Sequence, residues 1–187
     1  MVSGKNKVLQ FRRKRRDLTN YNVRLGLLKS GKPRMVVRKT SQYFIVQLVE
    51  YNPTGDKVLV SITSKSLLSK GWNFSCKNLP AAYLTGFIFG KECLKKSKSA
   101  VLDLGNLVSK KEAGIYAVVK GAIDAGMDVP VSEEILPSEE RISGKHISEY
   151  GKNVDKEKYK KLFSGYLKSK VAPEKISEEF EKIKSKL

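Results

Sequence analysis

The 187-residue chain has 37 lysines and arginines against 19 aspartates and glutamates, a formal net charge of +18, and is 40% hydrophobic. The hydrophobic share supports a packed core and excludes a chain disordered throughout, while the charge points to a polyanionic partner, either nucleic acid or an anionic membrane surface. The membrane reading is weak, because no stretch approaches the roughly 18 apolar residues of a bilayer span and no apolar segment follows the charged opening residues, as a signal peptide would require.

The positive charge is concentrated. Thirteen of the first 39 residues are basic and one, Asp17, is acidic, whereas residues 46–151 hold 13 basic and 12 acidic groups. Residues 1–17 are expected to be extended unless a partner orders them. Their run Arg12-Arg13-Lys14-Arg15-Arg16, with Lys5 and Lys7 before it, can neutralise phosphates on several RNA strands, and Phe11 and Tyr21 can stack on unpaired bases. The same run also fits a nuclear localisation signal or a solvated tail. Thr19 is expected to cap a short helix ending before Gly31, with Leu18, Tyr21, Leu25 and Leu28 on one stripe and Arg24 on its flank, in reach of an anion.

The period then changes to two. Residues 35–39, 43–51 and 57–63 read as strands, with Pro53-Thr54-Gly55-Asp56 turning the second into the third. The second strand is apolar on both faces (Tyr43, Ile45 and Val49; Phe44, Val46 and Leu48), which predicts layers above and below the sheet. Lys32, Arg34, Arg38 and Lys39 surround the first strand, and Gln42 and Tyr43 open the second. They suit RNA, although basic residues also guard a sheet edge against mispairing. Lys65 and Lys70 are weaker candidates of the same kind. Trp72 and Phe74 are expected to pack against the domain rather than stack on bases.

Asn78 precedes Pro80 and a helix to about Lys95 that is apolar almost all round. Residues 100–104 read as a strand, and Ile115, Val118, Val119, Ala122 and Ile123 mark one helical face that Gly126 terminates. Three strands, a helix, a strand and a helix make a three-layer α/β domain. Pro130, Pro137 and Gly144 break residues 128–150 into a long ordered loop with at most one helical turn. Two amphipathic stripes follow, one from Tyr159 to Leu167 and one from Ile176 to Leu187. Four segments result: a basic arm with its helix (1–31), an α/β core (32–127), an ordered loop (128–150) and a helical extension (151–187).

Several blocks, in order, carry a resemblance. They are Arg12 to Tyr21, Arg24-Leu25, Leu27 to Arg34, Val37-Arg38-Lys39, Gly55-Asp56, Gly71-Trp72, Pro80-Ala81-Ala82-Tyr83-Leu84-Thr85-Gly86, Val101-Leu102-Asp103, Gly121 to Gly126, Glu133 to Pro137 and Gly144-Lys145-His146-Ile147. Over residues 5–150 the chain resembles the archaeal form of the universal large-subunit ribosomal protein eighteen family. The resemblance implies a mixed sheet of ribonuclease-H-like topology and a structural role in the large subunit. It further implies binding to 5S rRNA, which the protein would link to the large-subunit (23S-type) rRNA in the central protuberance. Universal large-subunit protein five would be its neighbour, and a cytoplasmic ribosome its location. Lys145 and His146 become RNA candidates, with a satisfied structural histidine as the alternative. One departure stands out: Glu112-Ala113-Gly114 replaces a Gly-Ser-Arg or Gly-Ser-Lys that many members carry, with Lys110 and Lys111 just upstream.

A nuclease is the rival class, but the first strand has no acid where a metal site needs one and Asp103 lacks evident partners. Cys76, Cys93 and a single histidine are too few soft ligands for zinc; both cysteines read as free thiols, and no cofactor is expected. The remaining alternative is a non-ribosomal RNA chaperone or assembly factor, which would bind many RNAs alike.

Overall fold

The protein is described here from a computed structural model over residues 9–169 and 171–187. Lys5, Lys7 and the rest of residues 1–8, where an extended arm was expected, lie outside the described residues. From Leu9 onward the arm is not simply extended. Arg12–Arg15 (α1) close one helical turn, in which the Arg15 amide donates to the Phe11 carbonyl at 3.0 Å. The next helix, α2 (Tyr21–Leu28), is capped by Asn20 and not by Thr19. Asn20 Oδ1 accepts from the amides of Asn22 and Val23 at 3.1 and 3.3 Å, while Thr19 Oγ1 accepts from Arg13 Nε at 2.9 Å. The expected apolar stripe of α2 is not a packing face, since Leu18 and Leu25 are both more than half exposed and no α2 residue is fully buried.

The strands fall where the alternation put them: β1 (Arg34–Lys39), β2 (Phe44–Glu50), β3 (Lys57–Thr63) and β4 (Val101–Asp103). They form one mixed sheet in the order β3-β2-β1-β4, with β4 parallel to β1 and the other pairs antiparallel. A parallel neighbour needs a crossover connection, which α3 (Leu79–Leu94) supplies before α4 (Gly114–Asp124) follows β4. Asn78 caps α3, Oδ1 accepting the Ala81 amide at 2.9 Å, and Gly126 at φ +105° ends the turn after α4.

Alternation divides the sheet residues between two faces. Met35, Val37, Phe44, Val46 and Leu48 are buried in the core with α3 and α4. Arg34, Val36, Arg38, Gln47, Val49 and Asp103 share the opposite face. The layer on that second side is the N-terminal segment and not another helix pair. It is thin and open, so Ile45 and Gln47 stay only partly covered although β2 is apolar on both sides.

Residues 128–150 are more helical than their prolines and glycines suggested. A 3-10 turn at Glu133–Ile135 leads to α5 (Glu139–Ile142) and, across Gly144 at φ +81°, to α6 (Lys145–Asn153). The inward residues Ile142, Ile147 and Ser148 give this segment a buried side, but they are too few and too interrupted to show as a stripe. Three further helices follow: α7 (Lys156–Leu162), α8 (Ser164–Lys168) and α9 (Ile176–Lys186). The α9 stripe docks within the chain itself, with Ile176, Phe180 and Ile183 buried and the Phe180 ring 5.6 Å from that of Tyr83 on α3. In the first stripe Phe163 is buried, stacking near Tyr166, which in turn meets Phe74 edge-on at 5.7 Å. Trp72 is fully buried against Phe74, as aromatic packing required.

The backbones of α3 and α4 approach closely at two glycines. A Cβ added at Gly86 would fall on the Val118 carbonyl, and one at Gly121 on the Tyr83 carbonyl. Because the obstacle is backbone, neither helix can yield by changing a rotamer. Gly86→Ala should therefore cost about 3 kcal/mol or more, the upper end for overpacking. Urea unfolding monitored through the single Trp72 checks this, and a loss below about 1 kcal/mol would contradict the tight crossing.

Candidate nucleic-acid interface

Arg34 begins β1 with its side chain on the sheet face away from α3 and α4, where it is only 5% exposed. Its Nη1 donates to Asp103 Oδ2 on the neighbouring β4 at 2.6 Å, and its Nη2 donates to Asp56 Oδ2 in the β2–β3 turn, also at 2.6 Å. Asp56 Oδ1 then accepts from Arg24 Nη2 of α2 at 2.7 Å. Asp103 uses its other oxygen to accept the Gly105 amide at 2.8 Å. The chain Arg24–Asp56–Arg34–Asp103 thus ties α2, the hairpin turn, β1 and β4 together. Burial alone would push the Asp56 carboxyl up, but Arg24 and Arg34 outweigh it and hold the group below the ordinary carboxylate range.

This placement corrects one expectation. Arg34 cannot meet an RNA phosphate at the surface, because it is buried with both terminal nitrogens already paired. Breaking those pairs would leave the largely buried Asp103 without a cationic partner and Asp56 with Arg24 alone. Its Nε is buried without a partner among the described residues. Arg24 is more accessible, with its side chain 29% exposed.

Above this network the N-terminal segment and the sheet enclose a cleft of about 420 Å³. Arg13, Thr19, Asn20 and Arg24 line it from the arm and α2. Arg38, Gln47 and three valines line it from the sheet. Arg38 lies across Gly105, at φ +61°, where any side chain would collide with the guanidinium. Asn106 Nδ2 donates to the Asp17 carbonyl, joining the loop after β4 to the arm.

The other candidates separate into groups. Arg12, Arg13, Lys14, Arg15 and Arg16 are all exposed beside the cleft, and the Phe11 ring lies 5.4 Å from Tyr21, with Phe11 itself 72% exposed. At the far end of β1, about 17 Å away by the strand rise, Lys39, Gln42 and Tyr43 surround the hairpin turn. There Lys65 Nζ sits 4.5 Å over the Tyr43 ring. Lys32 is exposed and faces Asp128 at 3.6 Å, a pairing that solvent weakens.

Lys145 and His146 do not join either group. They open α6, which packs on α9 and so belongs to the helical side of the molecule. Lys145 pairs with Glu140 at 2.9 Å in a region that also holds Asp124, Glu139 and Glu181. Partial burial, reinforced by Arg141 and opposed by Glu149, pushes the His146 imidazole below its ordinary value, which disfavours the charged form. The divergent loop before α4 is likewise turned inward. Glu112 pairs with Arg141 at 3.3 Å, and Gly114 leaves room for the Phe44 ring.

The family model described as "Ribosomal large subunit proteins 60S L5, and 50S L18" matches residues 5–100, a little over half of the chain. The chain belongs to this family. As a large-subunit ribosomal protein it acts in translation as an rRNA-binding constituent of the ribosome, and its membership points to a structural rather than a catalytic role. Among the described residues no helix is long and apolar enough to cross a membrane. The matched region contains the arm, α2, the first three strands and α3, and therefore most of the cleft.

Reading the sequence alone missed Asp56, taken only as a turn residue, and left Asp103 without partners. The signal was present in part: an arginine opens β1, and acids stand directly after Gly55 and at the end of β4. Removing either acid should destabilise the fold unequally. Asp103→Asn, which strips a buried partner from Arg34, should cost about 3–5 kcal/mol, and the better solvated Asp56→Asn about 2 kcal/mol. The sign with pH follows from the lowered Asp56 value: its stabilisation is complete above the ordinary carboxylate range and is lost as pH falls below about 4. The difference between wild type and Asp56→Asn in urea unfolding should hold from pH 7 to 5 and shrink below pH 4. A difference that grew in acid would contradict this pairing.

Proposed function

We propose that this ribosomal protein binds 5S rRNA with its arm and the sheet face beside it, and links that RNA to the large-subunit rRNA in the central protuberance. The observation that carries this reading is the imbalance around the cleft. Arg13, Arg24, Arg34 and Arg38 meet only Asp56 and Asp103 there, while the remaining basic residues of α1 lie exposed beside it. Like charges crowded into the single turn of α1 repel one another, and RNA phosphates relieve that repulsion while releasing counterions. Arg12 to Arg16, Arg24 and Arg38 would take phosphates, with Lys5 and Lys7 extending the same arm, and Phe11 and Tyr21 would stack on unpaired bases. Lys32, Lys39, Gln42, Tyr43 and Lys65 would extend the contact along the sheet edge. Within this reading residues 1–31 form the arm, 32–127 the core that holds it, and 128–187 a helical side turned to neighbouring ribosomal components, universal large-subunit protein five among them. Its place would be the cytoplasmic ribosome.

The test is a salt titration of binding to 5S rRNA with transfer RNA of similar size as competitor. The reading expects a strong preference for 5S rRNA that survives physiological salt. Replacing Arg12, Arg13, Arg15 and Arg16 by alanine should weaken binding and reduce the magnitude of the log–log salt slope by up to about 3. Equal binding to both RNAs, vanishing together as salt rises, would instead indicate a general RNA chaperone. An unchanged slope would remove the arm from the interface.

A further inference from the structure

The cleft between the arm and the sheet has a chemistry that simple phosphate neutralisation does not use. Its two carboxylates are both spent: Asp103 on Arg34 and the Gly105 amide, Asp56 on Arg34 and Arg24. Two further arginines line the same space. Arg13 gives only its Nε, to Thr19, and Arg38 has no acidic partner among the described residues. An anion is therefore wanted at the cleft's edge. The walls are of another kind. Val36, Val49 and Val58 come from the strands, and Leu18 and Val23 from the arm side; Leu18, Val23 and Val58 are each about half exposed. Apolar side chains left open to solvent on two elements bordering one cleft can sandwich a flat ring. Gln47 also lines the cleft; its Nε2 donates to Ser61 Oγ at 3.2 Å, which leaves its Oε1 without a donor among the described residues.

An anionic group beside a flat apolar ring with a hydrogen-bonding edge is a nucleotide. The volume of about 420 Å³ lies within the range of small-ligand sites and suits a single residue rather than a helix. Resting on the rRNA-binding reading above, we propose that this cleft receives one unpaired nucleotide swung out of the bound rRNA. Its base lies between the valines and Leu18, its edge donates to Gln47 Oε1, and its phosphate meets Arg13 and Arg38. Aromatic stacking is not used here; Phe11 and Tyr21 lie outside the cleft's strand-facing part. Arg34, buried and held by both carboxylates, frames the pocket without competing for the phosphate.

The test uses the full chain and 5S rRNA, with chemical probing of every unpaired base in the free and bound RNA. Val58→Trp fills the cleft from an exposed strand position, and Arg38→Ala removes the phosphate partner without touching the valine floor. Both variants are first checked for wild-type unfolding. The expected result is that the wild type protects at least one unpaired base that both variants leave reactive, with affinity reduced roughly tenfold or more, the scale of one buried base. An abasic substitution at that position should weaken the wild type equally and leave Val58→Trp unaffected. If both variants bind with wild-type affinity and an unchanged protection pattern, the cleft holds no nucleotide, although the rRNA reading stands. If the wild type itself shows no preference for 5S rRNA over transfer RNA, the rRNA reading fails and the proposal fails with it.

Discussion

A single buried guanidinium organises this molecule's functional side. Arg34 meets Asp103 across the β1–β4 pair and Asp56 across the β2–β3 turn, both at 2.6 Å, and Asp56 passes the connection on to Arg24 of α2. A buried ion pair is weak evidence for stability as such, because desolvation offsets most of the attraction. Its value here is geometric. Each partner comes from a different element, so the charges cannot be satisfied unless the short strand β4, the hairpin turn and α2 take one relative position. The helix α2 needs such a tie, since it has no buried residue to seat it on the sheet.

The division of the sheet into two faces follows from the same constraint. On one face Met35, Val37, Phe44, Val46 and Leu48 exclude water with α3 and α4, and glycines at the helix crossing let the backbones come close. On the other face the polar network takes the place that a second helical layer would fill. A rigid hydrophobic half thus supports an open, positively charged half. Positioning exposed arginines requires such a support, because ordering long side chains costs conformational entropy at every contact made. The helical C-terminal region completes the rigid half: Phe180 and Ile183 pack in from behind, on Tyr83 and its surroundings.

Charge is partitioned as sharply as hydrophobicity. Arg12 to Arg16 and Arg38 are exposed on the sheet's open side, whereas Lys145 is matched by Glu140 among further acids on the helical side. A net charge of +18 is therefore not a uniform coat. The densest excess lies on the arm and the sheet's open face, while residues 152–187 add a more dilute one, with 11 basic against 6 acidic groups.

Much of this was legible in the residues. The basic arm, the period-two runs of β1 to β3, the Asn78-Pro80 start of α3 and the face of α4 all depend on local spacing, and local spacing is what a sequence displays. The family was legible as well, because its blocks keep their order along the chain. Only the tertiary structure showed that Arg34 is a buried staple rather than a phosphate ligand, that Asn20 takes the cap from Thr19, and that Lys145 and His146 face away from the arm. It also folded residues 128–150 into helical turns. These outcomes rest on contacts between residues far apart in the chain: Arg34 lies 22 residues from Asp56 and 69 from Asp103. The sequence by itself determined the elements with a clear local period and how much charge they carry. The fold decided which charges neutralise one another and which remain for a partner, because pairing depends on distances of a few ångströms that no spacing along the chain encodes.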